Sequence, residues 1–82
     1  MTDVRDIPVD AELDTYGMLC PMPIFATSRK LKELQPGQVL KVFADDAGIL
    51  KDLPAWCRQT GNEFLGFVDA EEDEYVGLVR AV

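Results

Sequence analysis

The chain has 82 residues, of which 48% are hydrophobic, so we expect one small domain with a compact core rather than a disordered chain. Eight basic residues against fifteen acidic ones give a net charge of -7. This balance argues against direct binding of nucleic acid, because phosphate contacts need clustered lysine and arginine. The charge favours partner proteins with basic surfaces, or it simply keeps a small domain in solution.

The chain begins with a polar segment and a short alternating stretch. Residues 1–10 mix charged and polar side chains with Pro8, and we expect a flexible N-terminal lead-in before a single domain over residues 11–82. Alternation from Ala11 to Tyr16 predicts a strand with Leu13 and Thr15 on one face. Gly17 ends this strand and allows the next loop to turn.

A cysteine and two prolines follow, in the stretch Gly17-Met18-Leu19-Cys20-Pro21-Met22-Pro23. Pro21 and Pro23 both suit the first turn of a helix, where a missing N–H costs nothing. Cys20 is therefore predicted at the N-cap, where the positive end of the helix dipole should lower the pKa of its thiol. The thiolate is the attacking form, so the pattern favours a reactive, outward-facing cysteine. A buried structural cysteine is the alternative.

The first helix and second strand come next. The helix is predicted over residues 21–34, where small and apolar side chains share one face: Ile24, Thr27, Leu31 and Leu34. Gln38 to Ala44 is apolar on both faces except at Lys41, which predicts an interior strand. A strand, a helix and a strand in this order predict a parallel pair with a right-handed crossover, which places Cys20 at the carboxyl end of the first strand.

The second half of the chain predicts a helix and a hairpin. Asp45-Asp46 starts the helix, with Asp46 as the N-cap and Gly61 as the stop. Its buried face is predicted to contain Leu50, Leu53 and Cys57, and Pro54 to kink the helix or split off its first turn. Strands over residues 63–69 and 74–81 should pair antiparallel across a short acidic turn, with Gly66 and Gly77 marking bulges or close approaches.

These elements predict an α/β (α+β) two-layer sandwich. The order is βαβαββ, with a four-stranded mixed sheet and both helices on one face. The two cysteines are too few for a disulfide scaffold, which indicates a reducing cytoplasm. No apolar run is long enough to span a bilayer, and the N-terminus lacks the pattern of a secretory signal.

Several side chains around the motif can be interpreted either as functional or as structural. Met18 and Met22 could form an adaptable apolar rim for a partner, or they are ordinary packing. Arg29 could contact a partner, although a solvated helix surface is the favoured interpretation. Cys57 is interpreted as core rather than as a thiol that resolves Cys20. The absence of histidine removes the usual general base and the commonest metal ligand, so no metal site is expected.

The motif in this register resembles the TusA (SirA-like) family of sulfur carrier proteins. The match includes Gly17-x-x-Cys20-Pro21-x-Pro23, then Asp45-Asp46, Asp52-Leu53-Pro54-Ala55-Trp56-Cys57 and Thr60-Gly61-Asn62-Glu63. It extends over about residues 12–82. Many members have a proline after the second aspartate, where this chain has Ala47-Gly48, so the transfer of a partner-recognition role to Asp45 and Asp46 depends on a stretch that differs.

The resemblance implies that Cys20 accepts sulfane sulfur as a persulfide, with no other cofactor. The donor would be a cysteine desulfurase or a rhodanese-like protein, and the acceptor a protein thiol such as that of a DsrE-like protein. Known routes are tRNA thiolation, molybdenum cofactor supply and sulfur oxidation, and the sequence does not select among them. We expect a cytoplasmic monomer. The alternatives are a non-catalytic regulatory or protein-interaction module with an inert cysteine, and a redox switch that uses Cys20 and Cys57.

Overall fold

The fold is seen in a computed structural model that describes residues 7–68 and 72–82. Six elements follow one another in the predicted βαβαββ order: β1 (Ala11–Asp14), α1 (Met22–Leu31), β2 (Val39–Ala44), α2 (Ile49–Thr60), β3 (Glu63–Val68) and β4 (Tyr75–Arg80). Most elements are shorter than predicted, and α1 ends three residues before residue 34. The predicted lead-in over residues 1–10 lies mostly outside the described residues, as does Asp69 at the predicted end of the third strand.

The four strands form one mixed sheet in the order β1-β2-β4-β3. β1 runs parallel to β2, with Leu13 opposite Val42, whereas β4 runs antiparallel to both β2 and β3. The parallel pair, the interior position of β2 and the final hairpin are therefore confirmed. Because β1 and β2 end at the same edge, the loops that follow them lie side by side, and these loops contain Cys20 and the Asp45-Asp46 pair.

The core lies between the sheet and the two helices, which contact each other as well as the strands. Along β2 the side chains of Leu40, Val42 and Ala44 are fully buried in this layer, and Leu53 and Cys57 of α2 pack against it. A fully buried leucine contributes roughly 1.5–3 kcal/mol relative to an exposed one, so these side chains dominate the stability of the domain. The result is the predicted two-layer sandwich.

Two glycines in the hairpin confirm the roles that the sequence predicts for them. The register of β3 against β4 shifts between Phe64 and Gly66, and Gly66 has a φ of 136° that favours glycine. A Cβ on Gly77 would lie 2.8 Å from Cδ2 of Leu53, so only glycine lets α2 approach β4 this closely.

The start of α2 differs from the prediction. The helix begins at Ile49 with Gly48 at its N-cap, so the prediction of Asp46 as the N-cap is wrong. Its buried face is formed by Ile49, Leu53 and Cys57, four residues apart, and Leu50 is 47% exposed instead of buried. Ile49 occupies the first position of that face, and Leu50 is rotated away from it.

The rest of α2 is one continuous helical span. Pro54 lies inside it, so the first turn is not split off, because the buried side chains of Leu53 and Cys57 hold the helix on the sheet on either side of the proline. Gly61 ends the helix with a φ of 80°, as predicted. Within the described residues, neither helix has the length and apolar character that a membrane span requires.

Candidate functional site

Cys20 lies on the loop between β1 and α1, at the carboxyl end of the parallel strand pair, and its side chain is exposed. The helix begins at Met22 with Pro21 as its N-cap, so Cys20 precedes the cap by one residue and the N-cap prediction for it is wrong. Pro23 occupies the first turn as predicted. The peptide bond between Cys20 and Pro21 is cis.

The first turn of α1 uses its amides within the chain. Met22 N–H donates to the carbonyl of Leu19 at 2.8 Å, and the N–H groups of Ile24 and Phe25 both donate to the carbonyl of Pro21. Pro21 and Pro23 have no N–H to offer. Residues 21–25 therefore direct no free amide at the sulfur, so the prediction that the helix N-terminus stabilises a Cys20 thiolate loses its structural basis.

Two carboxylates from the loop after β2 hold the Cys20 loop instead. Gly17 N–H donates to Asp45, at 3.0 Å to Oδ2 and 3.2 Å to Oδ1, and Cys20 N–H donates to Oδ2 of Asp46 at 2.7 Å. Oδ1 of Asp46 accepts from Gly48 N–H at 2.9 Å. The bonds from Gly48 and Cys20 lower the pKa of Asp46, because they stabilise its charged form. Both aspartates therefore hold the Cys20 loop in place through hydrogen bonds to its backbone.

Asp52, on the first turn of α2, contacts the sulfur directly. The thiol of Cys20 donates to Oδ2 of Asp52. This hydrogen bond, followed by desolvation and by the charges of Asp52 and Asp46, raises the pKa of Cys20 above its ordinary value. The predicted lowering of that pKa is therefore wrong, because carboxylates rather than free helix amides surround the sulfur. The site thus presents an exposed free cysteine whose sulfur contacts a carboxylate.

Exposed apolar side chains occupy the same loop and the start of α1. Leu19 is 74% exposed, Met22 51% and Phe25 60%, and Met18 is also exposed. Met22 and Phe25 lie three residues apart at the start of α1 and therefore share a face of the helix, and Leu19 lies in the loop just before it. Leu50 is exposed on the first turn of α2, two residues from Asp52. We call these five exposed residues the apolar rim.

The remaining predicted residues lie away from the sulfur. Arg29 is exposed in the last turn of α1, at the end opposite Cys20. Cys57 is 1% exposed, and its burial raises the pKa of its thiol to about 11, which agrees with its interpretation as core. Both cysteines are free thiols. Among the described residues, no three Cys, Asp or Glu side chains cluster as a metal site would require.

Comparison with known proteins identifies the family. The family model described as "Sulfurtransferase TusA" matches residues 11–81. The chain belongs to the TusA family. Sulfur carrier protein TusA of Pseudomonas syringae pv. syringae is 35% identical over 77 residues, which is 94% of this chain and 90% of that protein. YrkF of Bacillus subtilis is 48% identical over 54 residues, which is 66% of this chain but only 29% of YrkF.

A solved structure has the same TusA-like fold. The crystal structure of a SirA-like protein from Desulfitobacterium hafniense superposes with a TM-score of 0.77 and covers 88% of this chain and 97% of that chain. The sequences are 20% identical, so this likeness concerns the fold alone. The resemblance to the TusA family is confirmed by the family model and the curated relatives, and the solved structure confirms the fold.

The structure of this TusA-family chain brings together some predicted site residues and adds others. It joins Gly17, Cys20, Asp45 and Asp46 through hydrogen bonds, and it leaves Met18 and Met22 exposed beside them. Partner contact by any of these residues stays a prediction. Asp52, Leu19, Phe25 and Leu50 were not among the predicted site residues. The three-residue spacing of Met22 and Phe25 at the helix start was a usable signal, whereas the contact between Asp52 and Cys20 depends on the packing of α2.

Proposed function

We propose that this protein is a cytoplasmic sulfur carrier that holds sulfane sulfur as a persulfide on Cys20. The observation that supports this proposal best is the exposed sulfur of Cys20, on a loop tied through backbone amides to Asp45 and Asp46, within the motif of the TusA family. Two relatives that align with this chain over most of their own length are named sulfur carrier protein TusA. An exposed sulfur on a fixed loop can meet a second protein without rearrangement of the core.

The proposed transfer is an exchange between sulfur atoms. A donor persulfide R–S–S⁻ and the thiol Cys20–SH give Cys20–S–S⁻ and R–SH. The S–S bond of the donor breaks, a bond forms between Sγ of Cys20 and the terminal sulfur, and the thiol proton passes to the donor sulfur. The second transfer repeats these steps with an acceptor thiol. Neither transfer needs an oxidant, a reductant or a resident cofactor.

The surface around Cys20 suits transfer between proteins. The apolar rim offers flexible and aromatic side chains that a partner can cover, and the net charge of -7 favours partners with basic surfaces. We propose a cysteine desulfurase or a rhodanese-like protein as the donor. A protein thiol, such as that of a DsrE-like protein, is the proposed acceptor.

One observation favours a second candidate function. The contact with Asp52 raises the pKa of Cys20, and a thiol kept protonated is less reactive, as a non-catalytic interaction module would allow. The rim would serve such a module equally well. A redox switch finds less support, because Cys57 is buried in the core while Cys20 is exposed.

Mass spectrometry separates these functions. The wild-type protein, Cys20→Ser and Cys57→Ser are incubated with a cysteine desulfurase and free cysteine, and the intact masses are measured without reductant. A carrier gains the mass of one sulfur atom in the wild type and in Cys57→Ser, and gains none in Cys20→Ser. Equal gain in all three proteins, or no gain in any of them, would contradict the proposal.

A further inference from the structure

We propose that the charge of Asp52 sets the direction of sulfur transfer, by destabilising the persulfide anion on Cys20 so that the loaded protein is a strong donor. This inference rests on the proposed carrier function. It assigns Asp52 a role that the family motif alone does not specify. Asp52 counts as a catalytic residue here, since its Oδ2 touches the sulfur that reacts.

The geometry limits which groups act on the sulfur. Asp52 reaches it from the first turn of α2, where the backbone is fixed by the burial of Ile49 and Leu53. Asp46, from the loop after β2, is a second carboxylate beside Cys20, and it accepts hydrogen bonds from the amides of Cys20 and Gly48. From the α1 side, residues 17–25 contain no ionisable side chain besides Cys20.

The two sulfur states respond differently to this surrounding charge. A neutral thiol donates its hydrogen to Asp52 and is stabilised by the carboxylate. A persulfide is a stronger acid than the corresponding thiol, so at neutral pH it is largely an anion with no hydrogen to donate. It then lies beside Asp52, and like charges at contact distance repel each other. The carboxylate thus stabilises the empty state and destabilises the loaded one.

This difference shifts the balanced exchange R–S–S⁻ + Cys20–SH ⇌ Cys20–S–S⁻ + R–SH toward the donor. The same difference favours the next transfer, in which the outer sulfur passes from the Cys20 persulfide to an acceptor thiol that has no neighbouring carboxylate. In a relay protein this is useful, because sulfur that loads must also leave. The empty thiol gains a second property, since a smaller thiolate fraction slows its alkylation and oxidation.

The test uses Asp52→Asn, which keeps the size of the side chain and removes its charge. Glu33→Gln is the matched control, because it removes one negative charge near the end of α1 that lies opposite Cys20. There, Oε2 of Glu33 lies 3.8 Å from Nζ of Lys30. Each protein is equilibrated with mixtures of glutathione persulfide and glutathione at fixed pH, and the loaded and empty forms are counted by mass spectrometry. Circular dichroism checks the fold, and Asp52→Ser replaces Asp52→Asn if that variant has lost helix.

We expect the ratio of loaded to empty protein to rise about fivefold in Asp52→Asn, the Boltzmann factor for two unit charges ~4 Å apart in water. It should stay at the wild-type value in Glu33→Gln. The rate of alkylation of Cys20 by iodoacetamide, followed against pH, should show a lower thiol pKa in Asp52→Asn than in the wild type. An unchanged ratio in Asp52→Asn, or an equal rise in both variants, would overturn the inference.

The failures of the two proposals are distinguishable. If the wild type takes up sulfur and Asp52→Asn has the same ratio of loaded to empty protein, only the role of Asp52 is overturned. A wild-type protein that loads from neither glutathione persulfide nor a cysteine desulfurase would overturn the carrier function, and the role of Asp52 with it.

Discussion

The backbone N–H of Cys20 donates to Oδ2 of Asp46 at 2.7 Å, across 26 positions of the chain. This bond joins the loop after β1 to the loop after β2. Because α2 follows the second loop directly, the same bond fixes the distance between Cys20 and the first turn of α2. The bond to Asp46 therefore helps to hold the sulfur within reach of Asp52.

Asp46→Asn should make the protein less sensitive to acid. The pKa of Asp46 is lowered in the folded state, so its stabilising contribution is present in full above the ordinary value of 3.8 and is lost as pH falls from there toward the folded-state pKa. Urea denaturation of the wild type at a series of acidic pH values should show this loss, and Asp46→Asn should show less of it. Parallel curves for the two proteins would contradict the assigned bonds.

Alkylation should separate the two cysteines in the folded protein. Cys57 is buried and its thiol pKa is about 11, so iodoacetamide should modify Cys20 alone under native conditions near neutral pH. In denaturant both thiols should react. Peptide mapping gives the sites. Native modification of Cys57 at a rate comparable with Cys20 would show that the core position assigned to Cys57 is wrong.

Two leucines on α2 offer a matched pair for stability. Leu53 is fully buried and Leu50 is 47% exposed, so the same substitution should have different effects. We expect Leu53→Ala to lower the free energy of unfolding by about 2–5 kcal/mol, and Leu50→Ala to change it by less than about 0.5 kcal/mol. Urea denaturation measures both values. Similar losses would mean that both leucines belong to the core face, as the sequence had predicted.

The apolar rim should affect sulfur transfer from protein donors but not from small-molecule donors. Phe25→Ser and Leu19→Ser should each raise the apparent KM for a protein sulfur donor about tenfold, because large exposed anchors dominate interfaces. Loading from glutathione persulfide should be unchanged. Val82→Ser is the control, since Val82 is 75% exposed but lies at the C-terminus, outside the rim. If Val82→Ser has the same effect, or the rim variants have none, the rim is not the docking surface.

The fold was largely predictable from the sequence, because its signals are local. Alternation predicted β1, a run that is apolar on both faces predicted β2, and helical spacing predicted α1 and α2. Gly66 and Gly77 marked a bulge and a close approach that both exist. The helix starts were less predictable. A proline can occupy the N-cap as well as the first turn, and Asp46 bonds Gly48 in a tight turn before the helix begins.

The direction of the pKa shift at Cys20 could not be predicted from the motif. A cysteine followed by two prolines indicates a helix start, and the helix dipole then favours a thiolate. The prolines, however, remove two of the amides that would contact the sulfur, and the remaining ones bond to Leu19 and Pro21. Asp52 is 32 positions away in the sequence and reaches Cys20 only after α2 has packed. The sign of the pKa shift depends on that long-range contact.

The most direct test of the carrier function follows labelled sulfur from donor to acceptor. A cysteine desulfurase is charged with radiolabelled cysteine, the protein is added, and a purified acceptor with a free thiol is added last. We expect label to appear first on Cys20 and then on the acceptor, and Cys20→Ser to block both stages. Label that reaches the acceptor at the same rate with Cys20→Ser would show that Cys20 does not carry the sulfur.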